Sequence, residues 1–271
     1  MLSESELSRY SRNLLISEIG EKGQEKLKKS TVTMIGAGGL GSPALFYLAS
    51  AGVGHIKIID SDMCELSNLQ RQILFKTNSV GQPKAWQAAS TLKDLNPEIE
   101  IISVKKRLTP ENAEELLAYS DIVIEGSDNF DTKFLTNDIC YFLKIPTIIA
   151  GVVRFEGVVM GTRQGDDPCY RCVFESPPPS KSVPHPSDSG VLGSVAGFAG
   201  CMQATEAIKF LISQDEDSIF GHVFSFDLLK MDFRKTKITK NSNCPLCGEN
   251  STIDENSLKA KANSQSLDFS I

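Results

Sequence analysis

Histidine is scarce in this chain: His55, His185 and His222 are the only three among 271 residues. Imidazole is the usual general base near neutral pH, so chemistry built on it has few candidates, and none of the three is assigned a catalytic role. No apolar run approaches the roughly 20 residues that a membrane span needs. The opening Met1-Leu2-Ser3-Glu4-Ser5-Glu6 has neither the basic nor the apolar part of a secretion signal. The expectation is a cytoplasmic protein with no membrane partner. There is also no lysine and arginine stripe; 28 basic residues face 34 acidic ones for a net charge of -6, which argues against a nucleic-acid partner. No internal repeat is visible.

What is present is an ordinary globular composition, 41% hydrophobic and 23% charged, long enough for one large domain. The seven cysteines include two Cys-x-x-Cys pairs, Cys169/Cys172 and Cys244/Cys247. An odd count in a reducing compartment favours metal over a disulfide framework. Four thiolates in two close pairs suit a closed tetrahedral zinc site, which staples distant segments and leaves no open coordination position for chemistry. Cys64, Cys140 and Cys201 read as small buried fillers.

Ser3 to about Ile19 reads as a helix with Ser3 and Glu6 in capping-box spacing and Leu7, Tyr10, Leu14 and Leu15 on one face, an arm packed on the body within about residues 1–28. Strand Thr31–Ile35, the loop Gly36-Ala37-Gly38-Gly39-Leu40-Gly41, helix Pro43–Ala51 and strand Ile56–Ile59 form a βαβ unit. Three further helix and strand pairs follow: Lys84–Asp94 with Ile99–Val104, Glu111–Tyr119 with Ile122–Glu125, and Asp131–Leu143 with Thr147–Ala150. This alternation predicts a Rossmann-like α/β fold, a mainly parallel sheet with helices on both faces. After Gly151 the rhythm changes. Val152–Val153, Val158–Thr162, Val223–Phe226 and Phe233–Ile238 look like strands joined without intervening helices, an antiparallel extension of the sheet. Residues 176–189, with five prolines and five serines, read as a mobile loop. Val191–Ile212 reads as a buried helix, and 251–271 as a polar, frayed tail after a domain of residues 1–250.

The glycine loop fits G-x-G-x-x-G between strand and helix, where bare amides and the positive helix end hold phosphate oxygens. Asp60, at a strand end 19 residues after Gly41, fits a ribose-hydroxyl acceptor. These features alone suit a dinucleotide enzyme as well as an ATP enzyme. Asp62, Asn68, Arg71, Gln72 and Lys84 follow within 25 residues of Asp60, and Asp128-Asn129 closes a later strand. A triphosphate carries up to four negative charges and here meets an anionic acceptor. Opposite charges 4 Å apart attract by about 4 kcal/mol at an effective dielectric of 20, before desolvation. Arg71 and Lys84 supply two cations, and a magnesium ion, which prefers carboxylate and phosphate oxygens, could rest on Asp128. Strand ends of such a sheet face one crevice, so residues far apart in sequence converge there. Arg12, in Arg9-Tyr10-Ser11-Arg12, reads as a surface charge or as a group reaching a neighbouring subunit.

Arg9-Tyr10-Ser11-Arg12, the glycine loop, Glu65-Leu66-Ser67-Asn68-Leu69-Gln70-Arg71-Gln72, Gly81-Gln82-Pro83-Lys84, Asp128-Asn129, Arg154-Phe155-Glu156-Gly157 and both cysteine pairs together resemble the MoeB/ThiF family, bacterial relatives of the ubiquitin-activating enzymes. The resemblance runs from about Leu7 to Gly248. It implies ATP-dependent adenylation of the C-terminal glycine of a ubiquitin-like sulfur carrier ending in Gly-Gly, of the MoaD or ThiS type, by a homodimer. It further implies Gly39 and Asp60 at the nucleotide, Arg71 and Lys84 at the phosphates, Asp128 at magnesium, and Arg12 entering from the partner chain. An attacking carboxylate is already ionised and needs no general base, which agrees with the scarcity of histidine.

Two departures stand out. Members of this family commonly carry a cysteine just ahead of the long buried helix, where this chain has His185-Pro186-Ser187-Asp188-Ser189-Gly190. A serine hydroxyl is too weakly acidic to replace a thiolate, so the expectation is adenylation only, with sulfur from a separate sulfurtransferase. The run Cys244 to Ile253 also resembles the linker that leads to a rhodanese domain in longer relatives, and the expectation is an enzyme without that domain that borrows its sulfur donor. The rival readings are a related enzyme acting on a peptide or a transfer-RNA base, a nicotinamide-dependent oxidoreductase, and a scaffold with a degenerate pocket.

Overall fold

The computed structural model describes residues 1–165, 167–177, 189–214 and 217–254. Its frame is one eight-stranded sheet in the order β3-β2-β1-β4-β5-β6-β7-β8. The strands are β1 Thr31–Ile35, β2 His55–Ile59, β3 Glu100–Val104, β4 Ile122–Glu125, β5 Thr147–Val153, β6 Glu156–Thr162, β7 His222–Asp227 and β8 Asp232–Lys237. The first five pair parallel, and β6, β7 and β8 continue the sheet antiparallel. β5 joins the two halves: Thr147 to Ile149 pair with β4 on one side, and the whole strand pairs with β6 on the other.

The central parallel strands β1 and β4 are rich in β-branched residues and buried on both faces, as crossover helices require, while the edge strand β3 leaves Ile102 46% exposed. Val32, Met34, Ile56, Ile58, Ile122 and Ile124 pack toward α4 (Gly41–Ala51), α5 (Lys84–Leu95) and α8 (Gly193–Leu211). The alternate residues Ile35, Ile59 and Val123 pack toward α6 (Ala113–Leu117) and α7 (Phe130–Leu143). Each fully buried Leu or Ile here stabilises the fold by roughly 1.5–3 kcal/mol. α4 and α8 pack closely because Gly200 lets Leu40 and Pro43 approach; a Cβ there would sit 2.2 Å from the Leu40 carbonyl oxygen.

The N-terminal arm differs from the single helix expected over Ser3–Ile19. It forms α1 (Glu4–Arg9) and α2 (Ser11–Leu14), and a third helix that the sequence reading lacked, α3 (Gly20–Lys29). The capping box is present, with Ser3 and Glu6 bonding each other's backbone. The break falls at Tyr10, whose buried ring packs against Gly52 and whose hydroxyl accepts from Asn96 at 2.9 Å. Tertiary anchoring of Tyr10 overrides the local period, and Leu15 is left 76% exposed.

Val152–Val153, read as a separate strand, continues β5. β4 ends at Glu125, so Asp128 follows the strand in a turn rather than closing it. The expected mobile loop lies outside the described residues over 178–188, as does the tail over 255–271. The start of that tail is anchored, not frayed: the amides of Thr252 and Ile253 both donate to the Pro245 carbonyl at 2.9 Å, and Ile253 packs on the cysteine cluster. No helix among the described residues is long and apolar enough to cross a membrane.

Candidate active site

In the order β3-β2-β1-β4-β5 the connections reverse direction between β1 and β4, and ligands of such sheets bind outside the carboxyl ends of the strands at that point. A cleft of about 790 Å³ opens there. The β1 turn forms its floor. Gly36 adopts φ 82°, a left-handed conformation that favours glycine. Gly41 lies below it, where a Cβ would fall 2.0 Å from the Gly36 carbonyl oxygen, so the helix can start only if this residue has no side chain. Among the described residues no acceptor bonds the amides of Gly38 and Gly39, which line the cleft at the helix start.

Asp60 ends β2. Its two oxygens accept from the amides of Ala37 and Asp62, each at 2.8 Å, tying the glycine turn to the neighbouring strand. Burial pushes its carboxyl up, opposed by those amides and the nearby Lys84 charge. Each oxygen keeps a lone pair for a ribose hydroxyl. Gln72 is 4% exposed, and its Oε1 has no hydrogen-bond partner among the described residues. An orphaned acceptor beside a bare amide loop fits a bound nucleotide.

Six cations line the cleft, Arg71, Lys84, Lys106, Arg107, Lys133 and Arg154; Lys133 is paired with the buried Glu125, which leaves five against the four carboxylates Asp60, Asp62, Asp128 and Glu156. The lining is therefore net positive in a chain of charge -6. Lys84 opens α5, is buried, and donates to Asp62 at 3.0 Å. Asp62 is also partly buried, which raises its carboxyl, but the Lys84 hydrogen bond and charge prevail and hold it below the usual range. Asp128 is exposed to the cleft and has no hydrogen-bond or ion-pair partner among the described residues. A free carboxylate in the cleft could hold a magnesium ion together with phosphate oxygens, the hard oxygen donors that magnesium prefers.

The structure thus brings Gly36, Gly38, Gly39, Asp60, Asp62, Arg71, Gln72, Lys84, Asp128 and Asn129 to one cleft. Gly41 supports it from below. Asn68 is buried outside the lining and closes a tight turn by accepting from the Glu65 amide at 3.2 Å. Arg12, on α2, is exposed and also lies outside this chain's lining. Sequence reasoning missed Lys106, Arg107 and Lys133. The run Lys105-Lys106-Arg107 directly follows β3, so strand-end position could have flagged it. Arg154 was noticed only as part of a motif. It sits at φ 52° in the β5–β6 hairpin, its amide donating to Gly190 and its carbonyl accepting from Leu192.

The four cysteines of the two pairs come together on the other side of the cleft wall. Their sulfurs lie within 4.8 Å of one another, with 3.5 Å between Cys169 and Cys244 and 3.3 Å between Cys172 and Cys247. A tetrahedral ion with zinc–sulfur bonds of about 2.3 Å sets its sulfurs roughly 3.8 Å apart, and this cluster fits. Amides of Asn241 and Cys247 donate to the Cys172 and Cys244 sulfurs, as thiolate ligands require. Arg171, between two of the cysteines, makes a buried two-pronged ion pair with Asp138 of α7, both bonds at 2.7 Å. The adjoining Tyr170 lines the cleft. The remaining thiols are not activated: burial raises Cys64 and Cys201 and pushes Cys140 up to about 12.

A glycine turn, a strand-end carboxylate and a ring of cations at the switch point of a doubly wound sheet define the class as a nucleotide-binding α/β protein built for a polyanion. Residues 10–246 match the model of the ThiF family, and the chain belongs to that family. It is 42% identical over 248 residues to the SAMP-activating enzyme E1 of Haloferax volcanii, covering 92% of this chain and 91% of that one. It is 40% identical over 258 residues to the sulfur carrier protein adenylyltransferase of Thermus thermophilus, covering 93% and 95%. The adenylyltransferase and sulfurtransferase MOCS3 of Culex quinquefasciatus is 41% identical over 253 residues, and the match spans 58% of its length. Among solved structures, E. coli MccB superposes with a TM-score of 0.81 at 25% identity, covering 93% of this chain and 75% of that one, and MccB with ATP gives 0.78 at 26%, covering 88% and 74%.

Proposed function

We propose that this protein uses ATP to adenylate the C-terminal glycine of a ubiquitin-like sulfur carrier, with release of pyrophosphate. The observation that carries the reading is the convergence of Arg71, Lys84, Lys106, Arg107 and Arg154, with one free carboxylate, Asp128, on a bare-amide loop at the sheet's switch point. The names of relatives at 40–42% identity over most of the chain support the same activity. The glycine loop and Asp60 hold the nucleoside and first phosphate, while Arg71 and Lys84 face the phosphates. Asp128, with Asn129 beside it, takes the magnesium ion, which would offset charge on the leaving pyrophosphate. The carrier's carboxylate attacks the α-phosphorus, and the cations reduce repulsion between two anions held in line.

In this reading the enzyme is a cytoplasmic homodimer in which Arg12 completes the pocket of the partner subunit. The four-cysteine cluster holds a structural zinc ion and takes no part in the reaction. Sulfur comes from a separate sulfurtransferase, because Cys64, Cys140 and Cys201 are all held in the thiol form. A MoaD-type carrier of molybdopterin synthesis is favoured slightly over a ThiS type, because Cys244 to Ile253 resembles the linker of longer relatives. ATP/pyrophosphate exchange with candidate carriers added singly tests the proposal. Exchange only with a Gly-Gly-ended carrier is expected; exchange with an unrelated peptide or a transfer RNA instead would redirect it, and nicotinamide reduction without ATP would overturn it.

A further inference from the structure

Two buried charges sit directly behind Asp128. Glu125, at the end of β4, is wholly buried, and Lys133, in the first turns of α7, is 6% exposed. Lys133 Nζ has three protons and three acceptors: Glu125 Oε2 at 2.5 Å, the Ser127 carbonyl at 2.7 Å and the Ala150 carbonyl at 2.7 Å. The other Glu125 oxygen accepts from the Ser127 amide at 2.8 Å. Both backbone polar groups of Ser127, the residue before Asp128, are therefore held by this one ion pair. On the far side, Asn129 is fixed as the cap of α7 by the Thr132 amide at 2.9 Å. The backbone around Asp128 is clamped from both ends while its carboxylate stays unpartnered in the cleft.

We infer that Lys133 and Glu125 are positioning residues that hold the Asp128 turn in register for a nucleotide-bound cation. Lys133 does not bind phosphate itself, since all its donors are already taken. A purely structural need would not call for charge here: replacing a buried ion pair by apolar residues of similar volume is often neutral or stabilising. An apolar pair cannot hold the Ser127 amide and carbonyl or link that turn to β5 through Ala150. A ligating carboxylate must be set to about 0.5 Å, and this pair provides that constraint. The inference rests on the reading of Asp128 as the magnesium residue.

The test uses the full chain and the double variant Glu125→Leu/Lys133→Met, with Lys133→Arg beside it. ATP binding is measured by calorimetry with and without magnesium, and exchange is followed as a function of magnesium concentration. The double variant is expected to fold and to bind ATP without magnesium as the parent does. It should lose at least tenfold of the magnesium-dependent gain in affinity and need correspondingly more magnesium for half-maximal exchange, with Lys133→Arg recovering part of both. Should the double variant not fold, Glu125→Gln, which keeps the shape and one acceptor, provides the same comparison. A folded variant with the parent's magnesium dependence overturns the inference. Absence of magnesium-dependent binding in the parent itself would instead remove the role given to Asp128, a distinct outcome.

Discussion

Replacing Lys84 with methionine removes one ammonium and keeps most of the stem. The ammonium is 3.0 Å from Asp62, whose side chain is 56% exposed, whereas that of Lys84 is 8% exposed. After the change Asp62 turns to water rather than being stranded, so the stability loss should stay near the 0–1 kcal/mol of a surface pair, about 2–4 °C in melting temperature at most. Catalysis should suffer far more. Asp62 is the one acceptor bonded to Lys84 among the described residues, leaving two N–H donors for phosphate. A phosphoryl oxygen about 4 Å away gains roughly 4 kcal/mol at an effective dielectric of 20, and if desolvation cancels half of it about 2 kcal/mol survives. That range corresponds to roughly a 30- to 1000-fold loss in kcat/KM, read by pyrophosphate exchange with a Gly-Gly carrier. The Asp62 carboxyl is held below the usual carboxylate range, so the pair stabilises the fold above that range and the contribution fades as pH falls through the folded value. Parent and variant should therefore converge in stability under strong acid. Exchange within threefold of the parent, in a variant that melts normally, would refute the electrostatic argument.

Asp128→Ala should reduce exchange at least 100-fold and leave the melting temperature within about 2 °C, since the carboxylate has no partner to lose among the described residues; an active variant would dismiss it as the cation residue. Cys244→Ser should lower the melting temperature by more than 10 °C while exchange at 20 °C stays within a fewfold of the parent, and normal melting with lost adenylation would give the metal a chemical role instead. Arg12→Ala and Arg71→Ala chains are each expected to be inactive as pure dimers, and mixing them should restore one working pocket out of two. If the mixture stays inactive, each pocket is built within one chain.

The parallel half of the fold was legible because its strands are short apolar runs separated by helical periods; the predicted β1 to β4 lie within one residue of the observed strands, and only β5 runs three residues further. The site was legible where chemistry sits at strand ends: Gly36, Asp60 and Asp128 follow β1, β2 and β4. What escaped was set by contacts distant in sequence. Tyr10 breaks its helix because Asn96 and Gly52 hold it, and neither lies near it in the chain. Asn68 has the composition of a ligand and is consumed by a local turn. In the sequence Lys133 is one charge within the predicted helix Asp131–Leu143, and only the fold shows that Glu125, Ser127 and Ala150 surround it.

β5 belongs to both halves of the sheet. In enzymes of two lobes, capture and release come from a hinge between rigid bodies, and selectivity can be gained by closing on the correct ligand. Here one strand runs unbroken from the nucleotide side to the platform of β6 and β7, so no such hinge crosses the crevice. The sheet itself therefore supplies no closing of one lobe on another, and selection among acceptors falls to what lines the crevice.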